Sequence, residues 1–225
     1  MTKGFGRTLA LVCATCSLLA VAAAAQKEKK PTPGAGGRTQ TARDEGAAAK
    51  PGEDALPKDV VEEMTRYTTP GPQHKQLAAF AGKWTSRTRV WEMPDAKPVE
   101  FPGDAEYKMI LGGRFLELEI RSRMSGAESH GLGIYGYDAF KEKYSFYYIH
   151  DGETQALVGL GDRDSTGAAI TFAVAMDMPL AGERAKPIRA VLRRVSDDRH
   201  VFEMYEKYID DRDFKVLEIT YDRAH

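Results

Sequence analysis

Two periodicities divide the chain. Leu56, Val60, Met64 and Tyr67 recur at helical spacing behind Pro57, a residue suited to a helix's first turn. Thr68-Thr69-Pro70-Gly71-Pro72 breaks that run, and a second short helix is predicted from Pro72 to Ala81, with Leu77 and Phe80 on one face. Gly82 then serves as its left-handed stop. From Trp84 onward the pattern changes to alternation with period two and keeps it to the end. Trp84, Ser86, Thr88 and Val90 share one side of the first strand. Ala105 to Leu111 and Arg114 to Met124 flank Gly112-Gly113, a tight hairpin signal. Further strands are predicted at Gly131 to Tyr137, Tyr144 to His150, Thr154 to Gly161, Ala168 to Met176, Ile188 to Val195, His200 to Ile209 and Phe214 to Asp222. "MDMPLAGERAKPIRA" contains no obvious acidic-Gly hairpin, and Pro179 and Pro187 blur the strand boundaries there.

About ten consecutive strands without a helix between them form an antiparallel meander, and so long a meander closes to remove its edges. The uniformly short hairpins favour a barrel with an interior cavity over a two-sheet sandwich. The expected fold class is all-β: one antiparallel barrel preceded by short N-terminal helices, over residues 54–225.

What precedes the barrel has a different composition. Lys3 and Arg7 lead into an apolar run, Leu9 to Ala25, that ends in Ala23-Ala24-Ala25, which predicts a cleaved secretory signal over residues 1–25. A retained membrane anchor is the alternative, but the run is short for a span of about 20 residues. Both cysteines, Cys13 and Cys16, lie in this segment, so the mature chain has no disulfides and depends on a packed core. Residues 26–53 are rich in Ala, Pro, Gly, Lys and Thr with no aromatic residue, the composition of a disordered linker. The chain carries 32 basic and 33 acidic residues, two of the basic ones in the leader. Such a mild, unclustered balance argues against a nucleic-acid partner, and the mature chain retains no membrane span.

Gly82-Lys83-Trp84, set between a short helix and the first strand of a meander, resembles the calycin superfamily of lipocalin-like barrels. The resemblance implies that Trp84 plugs the closed end and packs against an arginine beyond the last strand, for which Arg223 is the candidate. A closer resemblance runs from about Pro70 to Arg223. It is carried by Pro70-Gly71-Pro72-Gln73-His74, Gly82-Lys83-Trp84, Met109-Ile110-Leu111-Gly112-Gly113-Arg114-Phe115-Leu116, Gly136-Tyr137-Asp138, Phe202-Glu203-Met204-Tyr205-Glu206 and Phe214-Lys215-Val216-Leu217-Glu218. In this order the phrases are similar to bacterial domain-of-unknown-function family 1579, which implies a lipocalin-like barrel and supplies no catalytic residues.

No nucleophile motif, phosphate loop or zinc spacing is present. Gly131-x-Gly133-x-x-Gly136 lies within the meander and opens no helix, so it reads as strand flexibility rather than a dinucleotide fingerprint. Asp162-x-Asp164-x-Thr166-Gly167 lacks the distal glutamate of a calcium loop and reads as a turn. Among the histidines, His74 suits a helix cap, His130 and His200 fall near turns, and His225 is terminal. His150 stands in phase with Tyr144, Phe146 and Tyr148, which places it at the mouth if that stripe faces the lumen. Glu203 shares a side with Val201 and Tyr205, and a buried Glu203 or Glu218 would pair with Arg114 or Arg121 or serve a binding site.

These features predict an exported barrel that binds a small hydrophobic or amphipathic molecule without a cofactor. Arg114, Tyr148, His150, Glu203 and Tyr205 are the candidate ligand-binding residues, with Gly82, Trp84 and Arg223 structural. The alternatives are an isomerase or hydrolase using His150 or Glu203 as base, a haem or nitric-oxide binder through one histidine, and a cavity-less interaction module.

Overall fold

The computed structural model describes residues 56–124, 126–179, 181–207 and 212–225. The predicted leader and linker lie outside them. Helices α1 (Lys58–Thr68) and α2 (Pro72–Ala78) come first. Among the described residues ten strands follow: β1 (Gly82–Val90), β2 (Val99–Ile110), β3 (Phe115–Met124), β4 (Ala127–Asp138), β5 (Lys143–His150), β6 (Leu157–Arg163), β7 (Ala169–Met178), β8 (Glu183–Arg194), β9 (Arg199–Lys207) and β10 (Asp213–Arg223). Each pairs antiparallel with the next, and β10 returns to β1, so the sheet is a closed up-and-down, lipocalin-like barrel.

Alternation decides what faces the lumen. In β7 Ile170, Phe172, Val174, Met176 and Met178 are buried, while the residues between them along the strand are exposed. The ladders extend beyond the predicted strands at several ends. β2 starts at Val99, β4 at Ala127 and β8 at Glu183. Pro187 sits inside β8 opposite Ala175, next to the register shift between Met176 and Met178, where the ladder is already interrupted.

The helices have unequal roles. No residue of α1 is buried, so its predicted apolar stripe is not part of the core. Its anchors are Tyr67, edge-on to Phe140 at 5.5 Å, and the Thr68 carbonyl, which accepts from Arg114 Nε at 3.1 Å. α2 buries Leu77 and His74, and His74 Nδ1 accepts the Gly71 N–H at 3.0 Å to cap its own helix.

α2 stops at Ala78, short of the predicted Ala81, and successive tight turns carry the chain through Ala79, Phe80 and Ala81. Gly82 therefore opens β1 instead of capping the helix. Its φ of 135° favours glycine, and Arg223 Nη1 lies 2.6 Å from where a Cβ would stand. The Arg223 guanidinium is 4.2 Å from the centre of the Trp84 ring, whose indole N–H donates to the Phe80 carbonyl at 3.0 Å. Arg223 also donates to the carbonyls of Ala81 and Asp197, so one side chain ties the start of the barrel to the turn before β9. Removing the buried indole leaves a cavity and a stranded arginine. Trp84→Ala should therefore lose about 3–5 kcal/mol in urea unfolding with an unchanged m-value. A loss below about 1 kcal/mol would contradict its role as the plug.

Candidate functional site

The lumen is not filled. A cavity of about 130 Å³ runs from the ring layer of Tyr135 and Tyr221 to His150 and Glu153, at the end of the barrel opposite Trp84. Small inward-facing residues occur around it, among them Ser86, Thr88 and Ser122 on β1 and β3 and Gly159 and Gly161 on β6, beside large ones such as Phe101, Tyr135, Phe146 and Phe202. Where the space beside a small residue is not taken by a neighbour, the packing leaves a void. At Gly131 it is taken, because a Cβ there would collide with the Tyr148 hydroxyl and ring. The glycines of β4 thus make room for neighbouring side chains, a reason additional to strand flexibility.

The cavity is apolar in its body and polar at one end. Thr88, Ser122, Ser129, Tyr148, His150 and Glu153 all line it. His150 Nδ1 accepts from the Gly152 N–H at 3.1 Å, which assigns the ring proton to Nε2. Nε2 then donates to Glu153 Oε1 at 3.1 Å. Gln155 Nε2 donates to Glu153 Oε2 at 3.3 Å and to the Asp177 carbonyl at 3.1 Å. The Asp177 N–H returns a bond to Gln155 Oε1 at 2.8 Å. This chain of bonds holds the β5–β6 loop against β7 and keeps Glu153 over the mouth. Burial raises the Tyr148 phenol above its ordinary pKa, and the charges of Asp151 and Glu153 raise it further.

The five candidate ligand residues separate. Tyr148 and His150 line the cavity, whereas Arg114, Glu203 and Tyr205 do not. Arg114 lies exposed in the β2–β3 turn at the plugged end, bonded to Thr68 and Leu111 carbonyls. Glu203 lies on the outer surface, since its strand neighbours Phe202 and Met204 take the lumen side. It is nonetheless 5 % exposed, covered by Lys215 at 2.7 Å and Arg193 at 3.4 Å in place of the expected Arg114 or Arg121. Burial opposes its ionisation, but Lys215, Tyr205 and Arg193 outweigh that and hold the carboxyl below the usual range. Tyr205 is outside as well, under the Arg189 guanidinium at 4.0 Å. Glu218 joins this outer network through Lys215 at 2.6 Å and Arg89 at 3.2 Å.

Sequence reasoning missed Thr88, Ser122, Ser129 and Glu153. A signal existed for three of them: each is a polar residue on the inward phase of its strand, as Ser122 is after Leu116, Leu118 and Ile120. Glu153 sits in a loop, where no periodicity applies. No cluster of three or more metal-binding side chains occurs among the described residues.

The family model described as protein of unknown function (DUF1579) matches residues 69–223, most of the chain and all of the barrel. The chain belongs to this family. No curated protein matches the DUF1579 chain. Among solved structures it is similar to Rv2717c from M. tuberculosis, at 15% identity and a TM-score of 0.49, covering 70% of this chain and 100% of that one. The S-type phycobiliprotein lyase CPES from Guillardia theta gives 9% identity and a TM-score of 0.49, covering 72% and 97%. A redesigned β-barrel, b11L5F_LGL, gives 11% identity and 0.36, covering 67% and 96%.

The plugged end of the DUF1579 barrel holds a second group that its position near a turn concealed. His200 is 1 % exposed, stacked on Tyr221 at 4.4 Å and met edge-on by Trp84 at 4.4 Å and by Phe80 and Tyr107 at 5.2 Å. Neither of its ring nitrogens has a hydrogen-bond partner, and the Tyr107 hydroxyl has none of good geometry although Tyr135 and Tyr221 lie near enough to influence it. Burial drives the His200 pKa down to about 3; Arg223 lowers it further and Asp222 opposes. The folded state therefore favours the neutral ring. Its contribution to stability is complete above the unfolded value of 6.5 and is lost as pH falls toward about 3. Urea midpoints should drop across that window, and His200→Phe should flatten the drop while leaving the lower-pH effect of the carboxylates. An unchanged slope in the variant would show that His200 is not the group responsible.

Proposed function

We propose that the barrel binds one small apolar or amphipathic molecule in its lumen, with its polar end toward Tyr148, His150 and Glu153. What supports the reading is the cavity itself, an apolar space of about 130 Å³ with polar groups gathered at the mouth. Its size suits a single ring or a short chain: cavities near 150 Å³ take benzene, while drug-sized ligands occupy about 300–1,000 Å³. An enzyme or haem reading through His150 asks it for a free nitrogen, and both of its nitrogens are engaged. Glu203, the other candidate base, faces away from the lumen.

Thermal unfolding with benzene and toluene tests the proposal. A ligand at about 100 Kd that binds only the folded state adds about 2.7 kcal/mol, a rise of roughly 5–10 °C for a chain of this size. Leu217→Trp, which adds an indole to the cavity wall, should abolish the rise. No rise in the wild-type protein, or an equal one in a folded Leu217→Trp variant, would overturn luminal binding.

Export is part of the same proposal, supported by the basic start and the apolar run ending in Ala23-Ala24-Ala25. N-terminal sequencing of the protein from its host should begin at Gln26. A mature chain beginning at Met1 or Thr2 would refute a cleaved leader.

A further inference from the structure

Resting on the binding reading above, we infer that the cavity selects an amine, a small apolar body carrying a cationic nitrogen, and discriminates against carboxylates such as fatty acids. The argument is one of charge. Among the described residues no lysine or arginine lines the cavity, and Glu153 is the carboxylate that does. Its side chain is 19% exposed, and its partners are uncharged N–H donors, the Nε2–H of His150 and the amide of Gln155. Asp151, two residues away, is likewise held by uncharged donors, the Ser129 hydroxyl at 3.1 Å and the His130 backbone N–H at 3.0 Å. Glu153 therefore faces the polar end without a lysine or arginine partner, and Asp151, exposed and outside the lining, is near enough that both charges raise the pKa of the Tyr148 phenol.

Two basic residues stand at this end of β8: Arg184 is exposed and does not line the cavity, and Lys186 is already engaged. Lys186 stands opposite the cavity-lining Met176, with Glu206 at 2.7 Å and Glu183 at 3.4 Å. A carboxylate entering the lumen would lose its hydration, gain no cation from the cavity lining and approach Glu153. An ammonium in the same position meets a carboxylate whose oxygens each keep a lone pair beyond those given to His150 and Gln155. Phe146 and Tyr148, stacked nearly parallel at 6.3 Å, supply apolar wall for the body of the molecule.

Three one-ring probes of matched size separate the possibilities: 2-phenylethylamine, 2-phenylethanol and phenylacetate, each titrated calorimetrically near neutral pH. The amine should bind about tenfold more tightly than the alcohol, and the carboxylate more weakly than either. Glu153→Gln should remove the amine's advantage while alcohol affinity stays within about twofold. Glu153→Lys, folded by circular dichroism, should turn the preference toward phenylacetate. Equal affinities for the three in the wild-type protein, tighter binding of phenylacetate, or an amine preference that survives Glu153→Gln would overturn the charge selection and leave luminal binding standing. Failure of all three to bind would overturn luminal binding, and the amine preference with it.

Discussion

The seam between the first and last strands is the constraint on which the barrel depends. Trp84 pairs with Arg223 and the register runs unbroken to Val90 opposite Leu217, joining residues more than a hundred positions apart. Without that seam β1 and β10 would be open edges, and the inward phase of both strands would be free to slip by one residue and turn to solvent. The bulge between Lys215 and Leu217 is part of the same adjustment. One extra residue lets Leu217, Ile219 and Tyr221 reach the cavity while Lys215 and Glu218 both stay outside, where they meet each other and Glu203.

Closure also separates the two ends of the lumen. At the plugged end the space is used up by rings: Trp84, Tyr107, Tyr221 and His200 touch at 4.4–5.7 Å, and a histidine remains there with its nitrogens unsatisfied. At the other end the space stays open, and hydrogen bonds among the β5–β6 loop residues hold the mouth. A rigid base beneath a polar mouth would let the proposed ligand be engaged without loosening the barrel.

The architecture was legible because period two is a strong signal over so many strands, and Gly82-Lys83-Trp84 marked where it begins. The site was less legible, for reasons that differ by residue. β9 is buried on both faces, its outer side covered by long charged chains, so the apolar neighbours of Glu203 could not reveal which face looks inward. Arg114 sits in a turn, where a charged side chain satisfies local carbonyls. His200 follows a turn in sequence but is drawn inside by its pairing with Tyr221. Glu153 acquires its place from a loop pinned by Gln155 and Asp177, contacts that no local pattern encodes.

Because every strand pairs with its sequence neighbours and the seam joins the last to the first, the sheet is a ring without a topological beginning. The ends of that ring are already adjacent, with the Ala224 N–H donating to the Lys83 carbonyl at 2.9 Å. Linking them there and opening the chain at a hairpin turn would keep every strand beside the same two partners. Which strand comes first is thus an accident of where translation starts, and the shape of the chamber is a property of the cycle.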